Sequence, residues 1–409
     1  MATETSSTLA NHQTFSSWET EHQRQAPKAN GNAEDCADYH PDWFERCLDH
    51  SRARVELHLP EVGRERGRIV RFEIAKRPLF CQLGDWVPAK FPMEVARLSG
   101  PLAQIPEKED AYDRLFGHLA LHDVDAVYLE AVRPETMLWR HLQASFVIQK
   151  SFRFYSPAGP LPHWLISLTG TFDEYMKRFS PKTRKNRHRE LKLLRSHGEV
   201  KLIRVTEVSE IDSFLKIAYR ISEKTRQFKQ FGWSVAARDP RLVKNELVRL
   251  ARHGSLRSYL LMCGNVPCAF ILGDQTGLRF RPVAAGVDPG WRSHSVGTIL
   301  LLLTLEDLFK ENPPEFYDLG TSAKHKEYLA TDSYLEASVW LFRRRAYPLM
   351  ASSIHRLCNL ASTMGGAALE RLALKRTVTQ WMRRVEQVAS DGASATSAGR
   401  VGHRPIGEA

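Results

Sequence analysis

No two cysteines in this chain form a CxxC unit, and the six that occur (Cys36, Cys47, Cys81, Cys263, Cys268 and Cys358) lie scattered, without neighbouring histidines. That pattern argues against a zinc cluster and against the disulfide framework of a small secreted domain. Free thiols in a reducing cytoplasm are the expectation, with no metal. No cationic stretch followed by an apolar core opens the chain, so no signal peptide is read. The longest uninterrupted apolar run, near Ile299–Leu303, is far too short to span a bilayer. Acidic residues are in deficit, 47 against 58 Lys and Arg, which leaves a net charge of +11. Such an excess favours anionic partners without choosing among a phosphorylated cofactor, an acidic glycan, a nucleic acid and an anionic lipid surface.

At 409 residues and 43% hydrophobic content the chain has material for two domains and tails. Residues 1–35 and 389–409 are polar and small-residue-rich, and are expected to be disordered. Strands are expected at Arg77–Gly84, Asp125–Val132, Phe146–Lys150 and Trp164–Leu168, and a helix over Asp110–Leu121. Thr171 caps a further helix. Residues 182–195 are the most basic stretch: seven Lys and Arg against Glu190 alone. The absence of interleaved aromatics disfavours nucleic acid as its partner, and most such runs are solvated helix faces. Beyond the short strand Val200–Val205, helices are expected at Ser209–Phe228, capped by Ser209, and at Pro240–Ala251. The period then switches from helical to alternating. Ser258–Cys263, Pro267–Asp274 and Leu278–Val287, joined by Gly264-Asn265 and Gln275-Thr-Gly277, predict an antiparallel meander. Phe316–Gly320 and Tyr334–Arg343 read as strands, and Ile354–Val388 as an amphipathic helix broken near Gly365-Gly366.

The most informative stretch joins that meander to a helix. Val283–Asp288 ends a strand, Pro289-Gly290 turns, and Gly297–Glu306 reads as a buried helix, with Arg292-Ser-His-Ser295-Val296-Gly297 between them. Small residues at a helix start leave its first N–H groups bare, and the helix dipole adds partial positive charge there. A diphosphate can dock on such a surface, and Arg292 can supply a fixed charge beside it. Plain close packing would also explain the small residues.

The order helix, helix, three antiparallel strands, small-residue helix start, strand, strand over residues 200–345 resembles the GNAT acyl-CoA transferase fold. The Arg292-x-x-Ser295-x-Gly297 step is similar to that superfamily's Arg/Gln-x-x-Gly-x-Gly/Ala signature, with Ser295 where the first glycine is usual. Several segments resemble the CelD/BcsL branch met beside bacterial polysaccharide genes: Ile166–Tyr175, Arg184–Leu194, Val287-Asp-Pro289, and Tyr317-Asp-Leu-Gly-Thr321 followed by Lys326. The acidic pair that relatives carry in the Gly-Asp-Glu-x-Tyr-Lys run is absent from Ser322–Lys326. Two such halves in one chain are also similar to FemAB-type aminoacyltransferases.

The resemblance implies an α/β (α+β) fold of tandem GNAT-like halves, each a mixed, mostly antiparallel sheet flanked by helices. Residues 36–199 would be a degenerate first half with a basic linking helix, 200–348 the acyl-CoA-binding half, and 349–388 a C-terminal helical segment. It implies acetyl-CoA or another acyl-CoA as co-substrate, held by Val287, Arg292, Ser295, Val296, Gly297 and Thr298. The acyl group would pass to an amine or hydroxyl of a sugar or envelope intermediate through an oxyanion stabilised by a strand N–H. Asp318 is the candidate base or orienting group, with a strand-end ion pair as its alternative. Tyr317 is a second candidate, with a core role as its alternative. Lys326 and the same-face pair Arg279 and Arg281 are candidates for binding an anionic acceptor, although an internal salt-bridge network would equally explain the arginines. The nearest approach to the phosphate signature in the first half, Arg97-Leu-Ser-Gly100-Pro101-Leu102, lacks a donor at Pro101, so one cofactor per chain is expected. Location is expected to be cytoplasmic, with peripheral membrane association open. An aminoacyl-tRNA-dependent transferase and a non-catalytic module in polysaccharide assembly are the rival readings.

Overall fold

A computed structural model describes residues 51–371, apart from 62–63, 84–85, 99–101, 103–104, 226–227, 229–233 and 322–323. The expected tails, Cys36, Cys47, Gly100, Pro101 and residues 372–388 of the C-terminal segment lie outside the described residues. The strands are β1 (Ser51–Glu61), β2 (Arg64–Leu83), β3 (Trp86–Leu98), β4 (Ala126–Val132), β5 (Phe152–Tyr155), β6 (Leu161–Ser167), β7 (Val200–Val205), β8 (Ser258–Cys263), β9 (Val266–Thr276), β10 (Arg279–Val287), β11 (Phe316–Thr321) and β12 (Asp332–Arg343). The helices are α1 (Glu109–Leu119), α2 (Met137–Ala144), α3 (Phe146–Ser151), α4 (Phe172–Lys177), α5 (Pro181–Arg195), α6 (Ile211–Glu223), α7 (Pro240–Arg252), α8 (Val296–Lys310), α9 (Lys324–Leu329) and α10 (Ala346–Arg371).

Among the described residues the strands form one 12-stranded mixed sheet in the order β1-β2-β3-β4-β12-β6-β11-β10-β9-β8-β7, with β5 pairing β12. The order contains a repeat. The meander β1-β2-β3 continues through α1 to β4, which lies parallel to β3. The meander β8-β9-β10 continues through α8 to β11, which lies parallel to β10. Strand β12 joins the two arrays, since Asp332–Glu336 pair with β6 while residues 337–343 pair with β4 and β5.

Alternation along each strand sends apolar residues to both faces, and helices cover them. On one face α1, α2 and α3 cover Val127, Leu129, Val339 and Leu341, and α4, α5 and α8 cover Ile166, Leu261, Phe280 and Tyr317. On the other face α6 and α7 cover Leu260, Phe270 and Leu272, while Ala351 of α10 lies with Phe342, Ala126, Met93 and Leu79.

Some elements differ from the sequence reading, for identifiable reasons. Residues 146–150 are helical, because Ser145 accepts the Ile148 N–H as an N-cap and only Ile148 of the apolar run is buried. The strand expected there follows it as β5. Ser209 does not cap α6. A single 3₁₀ turn precedes that helix, with a capping box between Glu207 and Glu210. Helix α10 begins before Ile354 and runs unbroken through Gly365-Gly366 to Arg371. Thr171, by contrast, makes the expected cap, as a full capping box with Glu174.

Candidate functional site

Strands β10 and β11 are paired over only two residues, Arg279 with Phe316 and Phe280 with Tyr317, and then separate. Pro282, which has no N–H to donate, and a register shift between Pro282 and Ala284 against β9 bend β10 at this point. The result is a slot between the ends of the two strands, with Asp318 the first residue of β11 past the last pair.

Helix α8 starts beside the end of β10. Ahead of it, Pro289–His294 form a 3₁₀ turn tied down by Asp288, whose carboxylate accepts the Gly290 N–H at 3.0 Å and pairs with Lys224 at 2.6 Å. Burial would raise the Asp288 carboxyl, but the Lys224 and Gly290 bonds outweigh it and hold it below its ordinary value. Ser295, the residue before the helix, is left-handed at φ 54 and makes no side-chain cap bond, so the start of α8 is not closed by its own side chain. A Cβ on Gly297 would stand 3.3 Å from Val287 Cγ2, so glycine lets the helix start sit close against the strand. Arg292 is exposed, and among the described residues no acid pairs with it. The rings of Trp291, His294 and His197 cluster next to it, with centroids 4.7 to 6.1 Å apart. The far end of α8 is anchored by buried Arg257, which donates to the carbonyls of Glu311 and Asn312 and to the Asp307 carboxylate. A left-handed non-glycine residue costs about 1–2 kcal/mol, and the Ser295 side chain makes no cap bond in return. Ser295→Gly should therefore raise unfolding free energy by about 1 kcal/mol in denaturant titration; a loss of stability would contradict it.

Through the sheet, on the face shared by α6, α7 and α10, the middle strands carry polar groups between the two helical covers. His163 of β6 lies between two carboxylates. Its Nε2 is 2.7 Å from Asp318 Oδ1, and its Nδ1 is 2.9 Å from Glu336 Oε1, an ion-pair distance outside hydrogen-bond geometry. Burial would lower the imidazolium pKa, but the two carboxylates outweigh it and push it up to about 10, so His163 is charged at neutral pH. The Asp318 carboxyl shows the same contest. Burial raises it, while His163, the Arg279 charge and the Gly320 N–H together hold it below its ordinary value. Gly320 N donates to Asp318 Oδ1 at 2.7 Å from a left-handed position, φ 71, at a register shift between β11 and β6. Such a bulge re-aims the neighbouring carboxylate. Tyr334 stacks on His163 at 4.7 Å, and Arg133 lies over its ring at 4.3 Å. Arg279 donates to the Tyr334 hydroxyl at 3.4 Å.

The sequence candidates thus separate. Asp318, Arg279 and half-buried Lys326 gather in the polar trough. Lys326 donates to the Thr321 carbonyl at 2.8 Å; burial lowers its pKa, against the opposing pull of Asp318. Arg281 instead holds buried Asp274 at 2.8 Å, an internal pair across β9 and β10. Tyr317 alternates to the opposite face, where it is 3% exposed and packs against Phe280, so it does not face the same space as Asp318. His163 and Glu336 went unread in the sequence. Each is a single polar residue in a strand, and only the sheet order brings them to Asp318.

Residues 181–328 match the family model described as "Acetyltransferase (GNAT) domain". No curated protein matches the chain. Among solved structures, the C-terminal domain of a protein described as a lysylphosphatidylglycerol synthetase from Agrobacterium fabrum superimposes with a TM-score of 0.48 at 12% identity, over 79% of this chain and 97% of that one. FemX superimposes with a TM-score of 0.44 at 9% identity, over 74% and 90% of the two chains. A tandem GNAT protein from the clavulanic acid biosynthesis pathway does so with a TM-score of 0.40 at 14% identity, over 71% and 83%.

Proposed function

We propose that this protein is an acyltransferase that moves an acyl group from CoA to an amine or hydroxyl acceptor. The observation that carries this reading is the juxtaposition at the β10–β11 fork. An uncapped helix start with a free-standing arginine lies at one side of the slot, and a polar trough with an ionised carboxylate lies on the far face of the sheet. A thioester donor threaded through the slot would present its carbonyl near Asp318, and positioning of this kind supplies much of the rate in acyl transfer. Diphosphate would sit on the N–H groups of Val296 and Gly297 beside Ser295, with the Thr298 side chain at the rim because its N–H already donates to the Ser295 carbonyl, Val287 flanking the arm and Arg292 as counter-charge. Asp318, held ionised, suits orienting an acceptor N–H or O–H better than removing its proton at neutral pH, because its low pKa makes it a weak base. Arg279 and Lys326 would bind the remainder of the acceptor. The likeness of Ile166–Tyr175 and Tyr317–Thr321 to the CelD/BcsL branch supports a sugar or envelope intermediate as acceptor.

Residues 36–199 act as the degenerate half and bind no cofactor of their own in this reading. Of the described residues of the signature remnant, Arg97 is buried and paired with Glu130, and Leu102 is partly buried against the first-half core. Calorimetry with acetyl-CoA should give one site per chain. Arg292→Ala should weaken binding by about 1–3 kcal/mol, the range for a charge-assisted bond. Gly297→Leu should abolish it by filling the cradle. Unaltered affinity in both folded variants, or two sites per chain, would overturn the placement. An aminoacyl-tRNA donor predicts no acetyl-CoA heat and transfer that requires charged tRNA.

A further inference from the structure

Helix α5 carries a feature that acyl transfer does not use. Lys182, Lys185, Arg189 and Lys192 recur at spacings of three and four residues and therefore line one side of the helix, with His188 and Arg195 at its flank. All six side chains are exposed. Among the described residues none of the five Lys and Arg pairs with a carboxylate; Glu190 is taken by Arg187 at 2.7 Å. From Lys182 to Lys192 the row extends about 15 Å at the helical rise. Four like charges in a row repel one another, and among the described residues no carboxylate pairs with them to offset that cost. On the opposite side, Leu194 is fully buried and anchors the helix to the core shared with α8, so the row is held rigidly outward.

From this we propose that the outer face of α5 docks on an anionic lipid surface. Three observations favour a bilayer over a nucleic acid as the polyanion. The row lies on a helix that has no Phe, Tyr or Trp side chain to stack a base. Three of its four members are lysines, compact point charges suited to a diffuse negative surface; arginine is the residue for forked phosphate contacts. Leu193 borders the row and is 51% exposed, an arrangement that costs nothing where acyl chains begin and adds nothing on RNA. Attachment is peripheral: no described helix is long and apolar enough to cross a membrane. The inference does not depend on the acyltransferase reading.

The test is co-sedimentation of the full chain with phosphatidylcholine vesicles, with and without phosphatidylglycerol. Binding is expected only with phosphatidylglycerol, and should vanish as salt shortens the Debye length to about 3 Å. Lys182→Gln/Lys185→Gln/Lys192→Gln should weaken it about 100-fold, near fivefold per cation, with an unchanged melting curve because all three positions are exposed. Leu193→Ser should weaken it further in the same assay. Equal binding to neutral vesicles, or wild-type binding that persists in high salt, would overturn the proposal. So would full affinity in the triple variant, or an RNA oligonucleotide that outcompetes the vesicles for the same residues.

Discussion

Turnover of an Asp318→Asn protein should fall by about 100-fold, while its affinity for acyl-CoA stays unchanged. Asparagine keeps the size of the side chain and can still accept the Gly320 N–H and the His163 Nε2–H, so what is lost is charge at the fork. An acceptor steered and aligned by a fixed carboxylate loses about 10² in rate when its alignment or its proton acceptor is removed. The acyl-CoA contacts proposed for the start of α8 lie on other elements and are untouched. The measurement is steady-state transfer alongside calorimetry of the donor. Full activity in a variant that has lost only stability would mean that Asp318 is no more than a partner for His163. A loss of donor affinity would place the carboxylate against the cofactor instead.

His163→Gln should destabilise the fold by about 3–5 kcal/mol, the range for removing one member of a buried ion pair, because Asp318 and Glu336 are left as buried carboxylates without their shared cation. The three side chains are only 11–15% exposed, so water screens them little. The effect should depend on pH in a definite direction. The folded pKa of His163, about 10, lies above its ordinary 6.5, so its contribution is complete below about pH 6.5 and is lost as pH climbs toward 10. Asp318 is held below 3.8, so its contribution is complete above that value and is lost as pH falls through the folded pKa. The gap in unfolding free energy between wild type and His163→Gln should therefore be widest near pH 5–6 and narrow toward pH 10. A gap that does not change with pH across that range would show that the histidine is not the charged keystone of this cluster.

Much of the fold was legible in the sequence because its cues are local. Gly264-Asn265 and Gln275-Thr-Gly277 separate alternating runs, so the meander β8-β9-β10 follows from turn chemistry and a two-residue period. Thr171 with Glu174 forms the capping box three positions apart, and Pro240 after Asp239 opens α7. The step from β10 to α8 was readable as a strand, a turn and a helix start, and Gly297 lies where close approach to Val287 is needed. Where a local cue misled, as with the apolar run at 146–150, a serine cap and the burial of one residue in three prevailed over apparent strand character.

The composition of the trough was decided by tertiary structure alone. His163 meets Asp318 across 155 positions of sequence, and Glu336 reaches His163 because β12 lies beside β6 on the same face. Strand order is set by which apolar faces must be buried together, and no short-range period encodes it. The faces of Tyr317 and Asp318 follow the same logic. As neighbours on one strand they must point oppositely, and only the helices that cover each face determine that the tyrosine belongs to the core and the aspartate to the trough. The sequence by itself thus determined the meander β8-β9-β10, the step from β10 to the start of α8 and the basic face of α5. The charge cluster around Asp318 exists only once the sheet has brought three distant strands side by side, because an ion pair of this kind depends on distance in space, and the sheet sets that distance.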